Sequence, residues 1–354
     1  MKQKDKKQHQ KFKGRLRNIS LPDLDILDDR KESAQYKTAR TAEKLEHSYK
    51  NSAKLEPGRV MEVMSNNQCW VELASKTIMA SISGRLKQFL YKSSKLIAVG
   101  DYVQVDVVQA PDYRIEKLSE RKNSLIRYGG GSFQKEIVLA ANIDYLVITT
   151  SWLMPRFKPG LVDRYLILAA KHDITPILVI NKIDLCQDFE ELEESIAYYR
   201  QIGIKVILSS MQSGAGLDEL RAALKGKDSV FSGHSGAGKS SIINALEPGI
   251  KLLTAEVSDH NDKGKHTTTQ AILIPWSFGG HLLDTPGIKT IALHQDDSAL
   301  VPKLFPGFDR YYPNCKFRDC SHSHEDGCAV LEALEKGDID PARYESYLGI
   351  LNSL

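Results

Sequence analysis

Residues 233–240 read GHSGAGKS, entered from the apolar run SVFS and leading into the helical pattern SSIINAL, which stops at Pro248 and Gly249. The string fits G-x-x-x-x-G-K-[ST] and constrains local structure tightly, because a strand must enter and a helix must leave. Gly233, Gly236 and Gly238 let the backbone bend until successive N–H groups, through His234, Ser235 and Ala237 to Ser241, point at phosphate oxygens. The start of the helix adds positive potential. Lys239 is placed to neutralise the β- and γ-phosphates of a nucleotide, and the Ser240 hydroxyl to ligate Mg2+.

A strand before and a helix after need a sheet to hold them. Strand candidates are YLVITT (145–150), PILVIN (176–181), KVILSS (205–210) and SVFSG (229–233), with helical stretches beginning near Gly160, Asp188 and Gly216. Continuous apolar strands separated by helices predict a parallel sheet covered on both faces. Sheets of that kind bind ligands at the carboxyl ends of their strands.

The phosphate loop alone does not choose between ATP and GTP. The choice comes from NKID, Asn181-Lys182-Ile183-Asp184, at the end of the strand PILVIN. The Asp184 carboxylate can accept from guanine N1–H and the exocyclic amino group together. Adenine offers an acceptor where guanine has N1–H, and sites of that kind discriminate by roughly 10⁴-fold or more. Lys182 is expected along the base plane, and Asn181 to tie the motif to the phosphate loop. The stretch SSMQSGAGLDEL follows the next strand. In GTPases this loop gives a backbone N–H to guanine O6, which by position falls to Met211, with Ser210 before it.

Downstream, HLLDTPG ends a further strand at Asp284. Asp284 is expected to hold Mg2+ through water, and the Gly287 N–H to meet the γ-phosphate. Between them, HTTT (266–269) offers a threonine to close over Mg2+ and the γ-phosphate: Thr268, or its neighbours Thr267 and Thr269. All the GTPase elements are thus present, but the base-reading pair precedes the phosphate-binding trio. Loops at strand ends make the site, so their spatial order matters and their order along the chain does not. The expectation is a circularly permuted GTPase.

What flanks this region differs in texture. Residues 1–50 form a Lys-, Gln- and Glu-rich tail, and up to Arg17 eight Lys and Arg stand against Asp5 alone. It reads as disordered, either simply solvated or as an arm that displaces counterions from RNA. From Pro57 come short β segments, RVMEV, CWVEL, TIMASI, DYVQVDVV and YRIEKL, with Val103, Val105 and Val107 alternating against polar neighbours. Period-two alternation over several short strands predicts a small antiparallel barrel, an OB-fold or else an SH3-like one, with GRLKQFLYKSSK as a connecting loop. RYGGGS (127–132) reads as a hinge. The division expected is 1–50 tail, 51–122 OB-fold, 123–292 GTPase and 293–354 zinc-binding region with terminal helices.

CKFRDCSHSHEDGC gives C-x4-C-x-H-x5-C through Cys315, Cys320, His322 and Cys328, a donor set for one tetrahedral structural Zn2+. His324 competes for the imidazole place. Cys69 and Cys186 read as core thiols. No run approaches the ~18 apolar residues that span a bilayer, and the basic start lacks a signal peptide's apolar core. A cytoplasmic location with no membrane association is expected.

The permuted motif order, the OB-like domain in front and the Cys/His segment behind together resemble the small ribosomal subunit biogenesis GTPases, the RsgA/YjeQ family, from about Pro57 to the end. The resemblance implies a monomer that binds the small (30S) ribosomal subunit and its 16S rRNA late in maturation. It implies slow hydrolysis of GTP to GDP and phosphate until the subunit stimulates it. It assigns guanine reading to Asn181, Lys182 and Asp184, phosphate binding to Gly233–Ser241, and favours His322 over His324 as zinc ligand. K+-dependent GTPases often carry Asn where Gly236 stands, which leaves K+ dependence open.

Ile288 follows DTPG, where many GTPases have a water-orienting glutamine. Intrinsic turnover should therefore be slow, and the resemblance favours His266 as the catalytic side chain. Two rival readings remain. One is an rRNA-binding scaffold regulated by nucleotide, with hydrolysis only a release timer. The other is a metabolic P-loop kinase, which NKID and the absence of an acceptor-binding motif disfavour.

Overall fold

Val103 and Val105 point inward while Tyr102 and Gln104 lie further out, and this alternation closes a barrel. The computed structural model describes residues 54–64, 66–92, 96–108, 110–128, 136–250, 271–284 and 293–354. The basic tail, His266, Thr267, Thr268, Thr269, Gly287 and Ile288 lie outside the described residues. The barrel strands are β1 (Leu55–Val63), β2 (Gln68–Leu73), β3 (Thr77–Ile82), β4 (Tyr102–Asp106) and β5 (Tyr113–Leu118). They pair in the order β1-β2-β3-β5-β4, and β4 returns to β1 to close the sheet. Only β3 and β5 run parallel. Val60, Val71, Val105 and Ile115 fill the interior.

The GRLKQFLYKSSK connection differs from the expected loop. Residues Gly84–Lys92 form helix α1. Leu86 and Leu90, one turn apart, are both buried in the barrel core, and that apolar pair holds the helix there. Of RYGGGS, Arg127 and Tyr128 belong to β6 (Ser124–Tyr128), which pairs antiparallel with β7 (Glu136–Ala141), and the glycines of the expected hinge lie outside the described residues.

The apolar runs become β8 (Tyr145–Ser151), β9 (Thr175–Asn181), β10 (Lys205–Leu208) and β11 (Lys227–Ser232), followed by β12 (Ile272–Pro275) and β13 (Gly280–Asp284). Their order is β10-β9-β8-β11-β13-β12, parallel except for β12. Both faces are covered, which explains why the strands read as unbroken apolar runs. Leu146, Ile148, Leu178 and Ile180 face helices α2 (Pro159–Lys171) and α3 (Phe189–Gln201). Val147, Ile177, Val179 and Phe231 face α4 (Leu217–Leu224) and α5 (Lys239–Leu246). Each buried aliphatic side chain contributes about 1.5–3 kcal/mol. The Asp188 carboxylate caps α3 by accepting from the N–H groups of Glu190 and Glu191, 3.0 Å each.

The chain enters this sheet at β8, moves outward through β9 and β10, then returns beside β8 as β11 and fills the other side. Strand order therefore reverses between β8 and β11, the place where doubly wound sheets open a ligand crevice. Strand β12 also pairs with β1, through Glu62 and Ile272, so barrel and GTPase sheet are hydrogen-bonded into one.

The C-terminal region carries the short α6 (Val301–Leu304), then α7 (Ala329–Glu335) and α8 (Pro341–Leu351). Its core of Phe305, Phe308 and Tyr347 includes Ile167 from α2. Helix α2 is thus apolar on two sides because it lies between the sheet and this region. No helix among the described residues is long and apolar enough to cross a membrane.

Candidate nucleotide site and metal centre

Strand β11 runs straight into the phosphate loop, and two of its glycines are demanded by neighbours. A Cβ on Gly233, at φ +141°, would lie 1.9 Å from the carbonyl oxygen of Thr149. One on Gly238, at φ +90°, would lie 2.2 Å from Nδ2 of Asn181. Both positions combine positive φ with close approach, so only glycine fits. Lys239 donates from Nζ to the carbonyls of Gly233 (2.8 Å) and His234 (2.7 Å), which keeps the ammonium over the cradle. Ala237 is buried beneath it, Ser240 and Ser241 are half-buried in the first turn of α5, and Ser235 and Gly236 are exposed. The His234 ring bridges the Ser235 carbonyl (Nδ1, 2.9 Å) and the Thr150 hydroxyl (Nε2, 3.3 Å).

The NKID segment leaves β9 beside this loop. Asn181 is buried, and its Nδ2 donates to the Ala237 carbonyl at 3.0 Å while its Oδ1 accepts from the Ser209 hydroxyl at 3.3 Å. That amide fastens the two loops together. Lys182 is left-handed, φ +61°, and donates from Nζ to the Met154 carbonyl. Ile183 packs against the core, which turns Asp184 outward to an exposed position. The Ser210 hydroxyl donates to Asp184 and accepts from the N–H groups of Gln212 (3.2 Å) and Ser213 (3.3 Å). Met211 stays half-buried against the second core cluster. An oriented, outward carboxylate beside a phosphate cradle is a geometry that can take two donors from guanine.

On the other side of β11, β13 ends at Asp284. Burial pushes the Asp284 carboxyl above the usual carboxylate range, so a bound cation is what would favour its ionised form here. Ser240 and Asp284 are the described residues that could hold Mg2+.

Sequence reasoning stopped at Thr150 and missed the loop after β8. Trp152 donates its N–H to the Asn181 carbonyl oxygen at 3.0 Å, and Pro155 Cδ is 3.5 Å from where a Gly236 Cβ would sit. The signal was present as three hydroxyl residues, Thr149-Thr150-Ser151, ending an apolar strand at the ligand-binding edge.

Cys315, Cys320, His322 and Cys328 bring their donor atoms within 4.8 Å of one another. His322 Nδ1 faces the thiols of Cys328 (3.3 Å) and Cys315 (3.6 Å), while Nε2 lies 3.2 Å from the Pro302 carbonyl. The carbonyl fixes the tautomer, leaving Nδ1 as a lone-pair donor toward the thiols. His324 is exposed and bonds Ser323 instead. The set fits a metal ion, since three thiols and one imidazole lone pair converge on one point, and a bound cation would offset the burial that raises the Cys320 thiol to about 12. Cys69 is buried in the barrel, and burial likewise raises its thiol to about 12. Cys186 is only half-buried, at the edge of the core cluster.

A family model described as RsgA GTPase matches residues 118–294. A small ribosomal subunit biogenesis GTPase RsgA from Chlorobaculum tepidum is 41% identical over 274 residues, 74% of this chain and 87% of that protein. One from Bacteroides fragilis is 34% identical over 294 residues, 82% and 95% respectively. The crystal structure of YjeQ from Thermotoga maritima superposes with a TM-score of 0.69 at 30% identity, covering 85% of this chain and 99% of that one. YloQ, a circularly permuted GTPase, gives 0.67 at 29% identity, covering 85% and 95%. With the strand order and the two nucleotide loops described above, these likenesses make the chain a circularly permuted GTPase that belongs to the RsgA family.

Proposed function

We propose that this GTPase acts in the late maturation of the small ribosomal subunit, binding the 30S particle through its 16S rRNA and hydrolysing GTP to GDP and phosphate faster when bound. The observation that carries the nucleotide part is the Asn181–Ala237 hydrogen bond, which makes one site of a base-reading loop and a phosphate loop 56 residues apart. The relatives' names support the subunit as partner.

In this reading, Asp184 accepts from guanine N1–H and the exocyclic amine, the Met211 N–H donates to O6, and Lys182 lies along the base. The loop from Gly233 to Ser241 and Lys239 hold the phosphates. Ser240 and Asp284 would hold Mg2+, which would supply positive charge to the β- and γ-phosphate oxygens. Thr268 and the Gly287 N–H close over the γ-phosphate. Water attacks the γ-phosphorus in line, the bond to the β–γ bridging oxygen breaks, and GDP leaves with that electron pair. His266 orients the water in place of the glutamine that Ile288 replaces. Three soft thiolates and one imidazole suit Zn2+ at the C-terminal site, where it would hold the 315–328 loop. The tail to residue 50, the barrel of 51–122, the GTPase region 123–292 and the remainder are proposed as the working domains in the cytoplasm.

The test is GTP turnover by the full chain with and without purified small subunits. Stimulation that His266→Ala abolishes, with GTP binding retained, is the expected result. An unchanged rate with subunits that nonetheless bind the protein would favour the scaffold reading.

A further inference from the structure

The segment after β8 touches both nucleotide loops, and the proposed function gives it no role. Trp152 and Phe157 are buried at its two ends, ring centroids 6.2 Å apart, and the Phe157 N–H donates to the Trp152 carbonyl at 2.9 Å. The tip between them is therefore anchored at both feet. On one side the tip lies against the phosphate loop, with Pro155 facing Gly236. On the other it receives Lys182, whose Nζ donates to the Met154 carbonyl. Met154 itself is 73% exposed and left-handed at φ +56°, so its side chain does not hold the tip in place. The tip is held instead from beneath. The fully buried Ser151 hydroxyl donates to the Pro155 carbonyl at 2.8 Å.

We propose that residues 151–155 form a third nucleotide-holding loop, in which Ser151 is a positioning residue that fixes the Met154 carbonyl and through it the Lys182 side chain. The inference rests on the reading that Lys182 lies along the purine plane. A lysine has four rotatable bonds, and an ammonium tethered to a fixed carbonyl has already lost that freedom before nucleotide arrives. Removing the Ser151 hydroxyl frees the Pro155 carbonyl, lets the tip drift, and returns the lysine to many rotamers. The loss concerns contact with any purine. Discrimination of guanine from hypoxanthine depends on the exocyclic amine at Asp184 and stays intact.

The experiment measures GDP and IDP affinity of the full chain by competition with a fluorescent nucleotide. Ser151→Ala is expected to weaken both by the same factor, about threefold to tenfold, the worth of one hydrogen bond. Ser151→Thr, which keeps the hydroxyl, is expected to bind as the parent does. In a Lys182→Met background, Ser151→Ala is expected to have no further effect. An undiminished Ser151→Ala effect in that background, or no effect in the parent, overturns the proposal. Asp184→Asn serves as the separate control, and a GDP-to-IDP ratio that it leaves unchanged defeats the underlying reading of the site instead.

Discussion

Arg343 of α8 donates to the carboxylate of Asp163 in α2, across 180 residues of chain and with both side chains buried. The Ser346 hydroxyl donates to the second Asp163 oxygen at 2.6 Å, and Arg343 Nη1 donates to the Tyr199 hydroxyl at 3.1 Å. The guanidinium also lies over the rings of Tyr198 and Tyr199, 4.6 and 5.0 Å from their centroids. Burial raises the Asp163 carboxyl even with Arg343 beside it, so the carboxylate depends on its partners to stay ionised. The region that carries the Cys/His cluster is thereby fastened to the helix that follows the Ser151 loop.

Cutting one side of this pair should be far worse than replacing both. Arg343→Ala leaves a buried carboxylate without its counter-charge, held only by the Ser346 and Tyr199 hydroxyls, at a cost of about 3–5 kcal/mol, whereas Asp163→Leu with Arg343→Met should recover most of it. Urea unfolding of the two variants checks this. Equal destabilisation by the single and the double change would mean that packing on Tyr198 and Tyr199, not charge, holds the helices together.

Asn181→Ala separates the joining of the two loops from the reading of the base. It strands the Ala237 carbonyl and the Ser209 hydroxyl in the interior, for a loss of about 1–3 kcal/mol in stability. GDP and ATP should both bind more weakly by about tenfold or more, because the phosphate loop loses its brace. Asp184→Asn should leave stability nearly untouched and fall only on guanine. Matched thermal melts and nucleotide titrations distinguish the two.

Where sequence and structure agree, local pattern was enough. Strands β8, β9 and β11 are buried on both faces, so their apolar runs read as strands without any knowledge of neighbours. Asn181 and Cys315 stand out because their motifs have fixed spacing within a few residues of chain, and the structure brings Asn181 to Ala237 and Cys315 to the other Cys/His donors. Ser151 does not, since its role appears only when the Pro155 carbonyl turns back over it. Helix α1 was hidden among lysines because only Leu86, Phe89 and Leu90 carry its packing on the barrel core. Least legible is Arg59 of β1, which bonds Asp228 of β11 at a distance of 169 residues. That contact follows from the register that joins β1 to β12, and register is a property of the assembled sheet.

Disabling the Cys/His cluster should act locally. Cys320→Ser is expected to lower zinc content from about one ion per chain to below about half, read by native mass spectrometry. Amides of residues 315–328 should then exchange faster, although Glu325 still accepts from the N–H groups of Ser321 (2.6 Å), Ser323 (3.0 Å) and His324 (3.2 Å) and Tyr344 still donates to the His322 carbonyl (2.7 Å). GDP affinity should persist, since no residue of the nucleotide loops bonds this segment among the described residues. A variant that retains a full ion would show that three of these donors suffice.

His281 at the start of β13 gives the barrel–sheet junction a pH dependence of known sign. Its Nδ1 lies 2.7 Å from the Asp228 carboxylate and its Nε2 3.1 Å from that of Glu72 in the barrel. Burial disfavours the charged ring, but Asp228 and Glu72 outweigh it, and the pKa stands above the ordinary 6.5. Arg59 shares Asp228 and lies 4.1 Å over the Tyr102 ring, so the surrounding charges are two carboxylates against one guanidinium. A group whose folded pKa is raised stabilises fully below its unfolded value, and that contribution is lost as pH climbs through the folded value. The melting temperature of the parent should thus exceed that of His281→Gln most at about pH 5.5, with the gap narrowing by about pH 8.5. A gap that is constant across this range would mean that the ring does not change its protonation there and that the junction carries no titrating proton.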